Sequence, residues 1–239
     1  MTADLEAFLA ARAPAMAEAL RAHRGRPFAK WLHYFEIYER HLARFRGKAI
    51  HFMEIGVDSG GSLQLWRAFL GPQAVIHGVD IDPRARAMES EGYRVHIGDQ
   101  ADPAFLEHLR REVPQLDVVV DDGGHHMHQI AASFQALYPH LAADGAYLCE
   151  DLHTCYMAAY GGGYRNGQSF LERSKDWIDQ LHAAYSADPA LRPGALAASA
   201  WGLHYYDSVL VIEKRPRTPP RMLVGGGGQP LQAPEAVPR

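Results

Sequence analysis

Two stretches hold the densest chemistry in the sequence: Asp117-Val-Val-Val-Asp-Asp-Gly-Gly-His-His-Met-His128 and Glu150-Asp-Leu-His153. The first pairs Asp121 and Asp122 with His125, His126 and His128; the second adds Glu150 and Asp151. Carboxylates brought together repel one another unless they are protonated or bridged by a cation. An oxygen-rich cluster of this kind suits Mg²⁺, Mn²⁺ or Ca²⁺. An imidazole beside such a cluster can take a proton from an oxygen that the cation has acidified.

These residues need a scaffold that brings them to one place. The apolar run Val118 to Val120 predicts a buried strand ending at Asp121 and Asp122, and a helical pattern follows from about Gln129 to Leu141. A second apolar strand, Ala146 to Cys149, ends at Glu150 and Asp151. Parallel strands joined by a helix deliver their C-terminal ends to the same sheet edge, where open α/β sheets bind ligands. Asp122, Glu150 and Asp151 are therefore expected to converge, with His125 beside them.

Earlier in the chain the same unit recurs. Ala49 to Ile55 reads as the first strand, running into Glu54-Ile-Gly-Val-Asp-Ser-Gly-Gly-Ser62 and a helix from Leu63 to Leu70. Strand, glycine turn and helix open a nucleotide-binding α/β sheet, although the spacing departs from Gly-x-Gly-x-x-Gly. Val75 to Val79 is the second strand and ends in Asp80, placed to accept hydrogen bonds from ribose hydroxyls. Tyr93 to Ile97 is the third, followed by Asp99 and by a helix opening at Asp102-Pro103. Ser199 to Tyr206 and Ser208 to Lys214 read as a closing hairpin. The fold class expected is a doubly wound α/β sheet, seven-stranded and mostly parallel, with an antiparallel C-terminal hairpin strand.

Three divisions follow. Residues 1–45 form a helical segment packing on the core, with helices at Ala3 to Ala22 and Lys30 to Phe45. Packing is the simpler reading of Trp31 and Tyr34 there. Residues 46–214 make the ligand-binding domain, in which Tyr156 to Gly167 is read as a mobile loop between the second acidic pair and a helix from Ser169 to Tyr185. Residues 215–239, rich in Pro and Gly, read as a disordered tail.

At 239 residues and 47% hydrophobic, the chain can bury one substantial core. With 24 Lys and Arg against 28 Asp and Glu, no basic surplus points to nucleic acid. Two cysteines make no disulfide framework, and neither a signal peptide nor a membrane-spanning run is read. A cytoplasmic protein is expected, acting on a small molecule and self-associating as a homo-oligomer, with no nucleic-acid or membrane partner.

A parallel sheet, a glycine loop and a ribose acid fit NAD or S-adenosylmethionine (SAM). Glu54 at the first strand end favours SAM, because an acid repels a pyrophosphate but can hold a zwitterionic amino acid. Asp99 is placed for an adenine amino group, and the antiparallel closure is uncommon in dehydrogenases. Glu54-Ile-Gly-Val-Asp-Ser-Gly-Gly-Ser, Gly78-Val-Asp-Ile-Asp-Pro, Gly98-Asp-Gln, Asp121-Asp-Gly-Gly-His and Glu150-Asp-Leu together resemble class I SAM-dependent methyltransferases. The nearest resemblance is to the metal-dependent sugar O-methyltransferases of macrolide biosynthesis, over roughly Lys30 to Lys214.

That resemblance implies Asp122, Glu150 and Asp151 as ligands of Mg²⁺, with Mn²⁺ an alternative, and His125 as general base. It implies a SAM site lined by Glu54, Gly56, Ser62, Asp80, Asp99 and Asp121. The activity implied is methyl transfer to a hydroxyl of a sugar in a glycosylated natural product. Rivals are an O-methyltransferase of a catechol or other vicinal diol, a cephalosporin-hydroxylase-like metal oxygenase, an NAD-linked oxidoreductase, and a non-catalytic SAM-binding subunit. Gly124 stands where the family often has serine, and His126 offers a second imidazole beside His125.

Overall fold

A computed structural model of the chain describes residues 2–218, 221–226 and 229–232. Its centre is a seven-stranded sheet: β1 (His51–Ile55), β2 (Val75–Asp80), β3 (Arg94–Ile97), β4 (Leu116–Asp121), β5 (Leu141–Cys149), β6 (Ala200–Tyr206) and β7 (Val209–Lys214). The spatial order is β3-β2-β1-β4-β5-β7-β6, with β7 antiparallel to both of its neighbours. This is the architecture expected from the sequence.

Both faces of the sheet are covered, and the strand sequences show why. Along β4, Val118 and Val120 belong to one core while Val119 belongs to the other. The same alternation separates Ala146 and Leu148 from Tyr147 and Cys149 in β5, and Val209 and Val211 from Leu210 and Ile212 in β7. Successive strand residues point to opposite faces, so a run apolar at every position requires helices on both sides. One core contains Trp66 of α4 (Gly61–Leu70) and the N-terminal helices α1 (Ala3–Arg12), α2 (Pro14–Ala22) and α3 (Tyr34–Leu42). The other is built by α5 (Pro103–Glu112), α6 (Met127–Leu137) and α7 (Phe170–His182), where Phe134, Phe170 and Trp177 pack ring against ring.

Several boundaries differ from the sequence reading. The helix expected over Ala3 to Ala22 is two helices, because Pro14 has no N–H to continue the first and instead opens the second. Glu39 of α3 accepts the otherwise unpaired N–H groups of Ala15 (3.1 Å) and Met16 (2.9 Å), tying α2 to α3. The helix expected from Lys30 begins only at Tyr34, leaving Lys30 in the non-helical segment ahead of it. The helix expected from Gln129 runs from Met127 to Leu137, so β5 starts earlier than Ala146. Between β2 and β3 the connection is a 3₁₀ run, Pro83–Glu91.

The tail expected after Lys214 to lack structure falls partly outside the described residues. Within them, Val224–Gly226 (β8) pairs antiparallel with Gln229–Gln232 (β9). Closer to the core the chain is anchored. Lys214 Nζ donates to the carbonyls of Leu141 (2.6 Å) and Pro139 (3.1 Å), and Arg217 Nη1 donates to that of Leu181 (2.8 Å). Among the described residues no helix is long and apolar enough to cross a membrane.

A chain truncated after Arg217 is expected to melt within roughly 2 °C of the full chain, because every core anchor just named is retained. Truncation after Glu213 removes charged donors worth about 1.5–3 kcal/mol each and should lower Tm by roughly 4 °C or more. Differential scanning calorimetry of the two truncated chains checks both.

Candidate active site

The C-terminal ends of β1, β4 and β5 step into one another in register: Ile55 lies opposite Asp121, and Asp121 opposite Cys149. The peptide N–H of Asp122 donates to the Ile55 carbonyl (3.0 Å) and that of Glu150 to the Asp121 carbonyl (2.9 Å), so the acidic loops start from fixed positions. Gly56, at φ 93°, passes so close to β4 that a Cβ there would stand 2.1 Å from the Asp122 carbonyl oxygen. Only glycine fits that backbone conformation and that approach.

The acids at this edge form an inner and an outer group that share Asp122. The inner group surrounds Lys30, whose Nζ lies 2.6 Å from Asp122 Oδ2, 2.9 Å from Glu150 Oε2 and 3.2 Å from Glu54 Oε1. The contact with Glu54 lies off the hydrogen-bond direction and is ionic. The Lys30 side chain is 3% exposed, and those of Glu54 and Glu150 are fully buried. Burial by itself would lower the pKa of Lys30, but Glu150, Tyr38, Glu54 and Asp122 outweigh it and hold the ammonium charged. Burial pushes the Glu150 and Glu54 carboxyls up, with Lys30 opposing in both cases. Tyr38 donates to Glu150 Oε1 (2.7 Å), and Tyr34, one turn earlier on α3, donates to Asp151 Oδ1 (2.7 Å).

The outer group is Asp122, His125 and Asp151, whose ligand atoms lie within 4.8 Å of one another. His125 Nε2 is 3.8 Å from Asp122 Oδ1 and 3.5 Å from Asp151 Oδ2, and each of the three side chains is about one fifth exposed. His125 (φ 57°) and Asp151 (φ 53°) both hold left-handed backbone conformations that cost a non-glycine residue energy, a concentration of strain characteristic of functional sites. Two carboxylates, open to solvent, offer oxygens to a divalent cation with vacant positions for a substrate, and the imidazole beside them can take a proton. Thus Asp122 and Asp151 meet His125 as expected, whereas the Glu150 carboxylate is turned inward onto Lys30 and Tyr38.

Of the other histidines, His153 also stands beside the acids, its Nδ1 4.0 Å from Asp151 Oδ1. The His126 ring packs against Tyr160 and His128, at 5.3 and 5.7 Å between centroids, away from the acids. His153 Nδ1 is bonded to Ser208 Oγ (2.6 Å), and the exposed Trp31 stands edge-on to its ring at 6.1 Å. His204 lies on β6, close to His41 and Glu213, outside this edge.

Alongside the acids opens a cleft of about 800 Å³ with Lys30, Gly56, Ser62, Asp80, Asp99 and Asp122 on its walls. Asp80 Oδ2 accepts the N–H groups of Val57 (2.8 Å) and Asp58 (3.0 Å), fixing the glycine loop to the end of β2. The Asp99 carboxylate is oriented by the N–H of Ala101 (2.8 Å). Two of the six residues expected to line a cofactor lie below the surface instead. Glu54 accepts from Ser62 Oγ (2.5 Å) in the core beneath the loop. Asp121 is 1% exposed and points to the opposite face of the sheet, accepting from Ser133, Tyr147 (2.9 Å) and Gln100 (3.0 Å). Burial raises its pKa against the pull of those donors.

Sequence reasoning missed Lys30, Tyr34 and Tyr38 as site residues. Tyr34 and Tyr38, four positions apart on α3, share the side of the helix that approaches the sheet edge, a spacing visible in the sequence. Gln100 was missed too; its amide carries Asp121 on one side and accepts the Gly124 N–H (2.8 Å) on the other, bracing the Asp-Asp-Gly-Gly turn.

Residues 53–152 match the family model described as a methyltransferase domain. Demethylmacrocin O-methyltransferase of Streptomyces fradiae is 35% identical over 199 residues, covering 77% of this chain and 50% of that protein. Mycinamicin VI 2''-O-methyltransferase of Micromonospora griseorubida is 35% identical over 197 residues, covering 77% and 49%. The MycE methyltransferase of the mycinamycin biosynthetic pathway, solved with Mg and SAH, superposes with a TM-score of 0.75 at 32% identity, covering 86% of this chain and 55% of that one. A second MycE structure contains mycinamycin VI as well, with a TM-score of 0.75 at 30% identity over 86% of this chain and 54% of that one. The chain spans about half the length of the curated relatives it matches. Fold, site and sequence together show that the chain carries a methyltransferase domain, similar to that of natural-product O-methyltransferases.

Proposed function

We propose that the chain is a Mg²⁺-dependent O-methyltransferase that moves the methyl group of SAM to a sugar hydroxyl of a glycosylated natural product in the cytoplasm. The observation that carries this reading is the shared wall between two compartments. The cleft with Gly56, Asp80 and Asp99 meets the acid–histidine group at Asp122, so a donor in the first faces an acceptor at the second. Relatives are named as O-methyltransferases of rhamnosyl and olivosyl compounds, and MycE was solved with Mg, SAH and mycinamycin VI, which supports the same assignment.

In this reading Asp80 accepts the ribose hydroxyls, the loop at Gly56 lies against the amino-acid end of the donor, and Asp99 meets the adenine. Asp122 and Asp151, with Glu150 behind them, are the acids that hold the cation. When bound, the cation supplies a Lewis acid that lowers the pKa of an acceptor hydroxyl and fixes its direction. Tyr34 keeps Asp151 oriented toward the acceptor side. His125 takes the hydroxyl proton as the oxygen–carbon bond forms and the carbon–sulfur bond breaks, leaving SAH. In-line placement of oxygen, methyl carbon and sulfur does the rest of the work, because the reaction needs little else from the protein.

Calorimetry with SAM should show Asp80→Ala weakening binding at least tenfold, about 1.4 kcal/mol, through loss of the hydroxyl acceptor and of the loop it fixes. Unchanged affinity would remove Asp80 from the donor site.

Mass spectrometry of a glycoside panel incubated with SAM should show a single added methyl group that depends on divalent metal and vanishes in EDTA. His125→Ala should lose about a hundredfold or more in turnover while still binding SAM, the usual scale for a missing general base. His126→Ala should change turnover by less than about threefold, since its ring faces Tyr160. Full activity in EDTA, or loss through His126 alone, would sink the assignment.

A further inference from the structure

The inner group already contains a cation. Lys30 Nζ stands 2.6 Å from Asp122 Oδ2 and 2.9 Å from Glu150 Oε2, and both acids belong to the set proposed above to hold the metal. Its side chain is 3% exposed, and Glu54 completes a third side at 3.2 Å. An ammonium enclosed by carboxylates and a metal ion enclosed by carboxylates are two answers to one problem, the neutralisation of buried negative charge. They are not compatible at the same oxygens. Mg²⁺ binds oxygen at about 2.0–2.1 Å and tolerates no intervening group, whereas Nζ now lies between the facing oxygens of Asp122 and Glu150.

We propose that Lys30 is a tethered counter-cation that competes with the divalent ion for Asp122 and Glu150, and that metal binding exchanges its ammonium outward. The inference rests on the metal reading given above. Two features equip the chain for this exchange. Lys30 forms part of the cleft wall, so a displaced ammonium has open volume beside it rather than packed core. Tyr38 holds Glu150 through its other oxygen, and Tyr34 does the same for Asp151, so neither acid need collapse or repack while the cations change places. In the metal-free protein the ammonium keeps the site from accumulating uncompensated charge, and the cation that replaces it must outbid an internal competitor. A lysine that only neutralised Glu54 and Glu150 would stay buried when metal binds, and its removal would not strengthen metal binding.

Titration of the full chain with Mn²⁺, followed by calorimetry, separates the two. Lys30→Met should bind Mn²⁺ at least tenfold more tightly than the wild type. Lys30→Arg, which keeps a competing charge, should stay within about threefold of it. Lys30→Met prepared in Mn²⁺ should also lose far more thermal stability on EDTA treatment than the wild type does. A second measurement needs no substitution: reductive methylation read by mass spectrometry should leave Lys30 of the wild type protected in EDTA and modify it in saturating Mg²⁺. Equal or weaker Mn²⁺ binding by Lys30→Met, or equal protection of Lys30 with and without Mg²⁺, overturns the exchange. If neither the wild type nor Lys30→Met binds Mn²⁺, the metal reading itself falls and the exchange with it. If Mn²⁺ binds the wild type through Asp122 and Asp151 but Lys30→Met gains nothing, the metal reading stands and the exchange alone fails.

Discussion

The contact between Lys30 and its three carboxylates is the interaction on which the rest of this site depends. Glu54, Asp122 and Glu150 come from three adjacent parallel strands, and the sheet brings them together regardless of charge. Without a cation they could be buried only by protonation, and a protonated carboxyl is a poor metal ligand. The ammonium comes from the segment leading into α3, far away in sequence, so the N-terminal helices are more than a cover for the apolar face. They deliver the positive charge that permits an acidic sheet edge, and the tyrosines of α3 then fix two of the acids individually.

How much of this was legible in the sequence follows from the physics of each feature. The strands, their order of occurrence and the parallel architecture were readable because apolar runs such as Val118 to Val120 stop abruptly at acids and glycines. The convergence of Asp122, Asp151 and His125 followed from topology alone. Helix ends were less legible. Pro14 splits a pattern whose spacing otherwise continues, and the amphipathic stripe of α3 was extended back over Lys30 when the chain there is not helical.

The directions of the acids were misread for a simpler reason. Glu54 follows Phe52 by two positions and Glu150 follows Leu148 by two, so both continue the face that packs under α3 and α4. Asp121 continues the face of Val119, toward α6. Alternation along a strand already assigned Glu54 and Asp121 to the two interiors rather than to the cleft, and Asp122 and Asp151, past the strand ends, escape it. Lys30 carried no such marker. A lone lysine ahead of a helix looks solvated, and what makes it a buried partner is the three-strand arrangement that sequence distance conceals.

The close passage of Gly56 against the Asp122 carbonyl has a further consequence, for how this site can vary. The glycine turn on the cleft wall and the turn that presents the acids share a single layer of atoms, with no side chain between them to absorb a change. Any residue larger than glycine at position 56 would press on the backbone that carries Asp122, and a shift of Asp122 would in turn press on the glycine turn. The two turns therefore cannot drift independently. A change at either turn is thus felt at the other, and the seam is held to one shape.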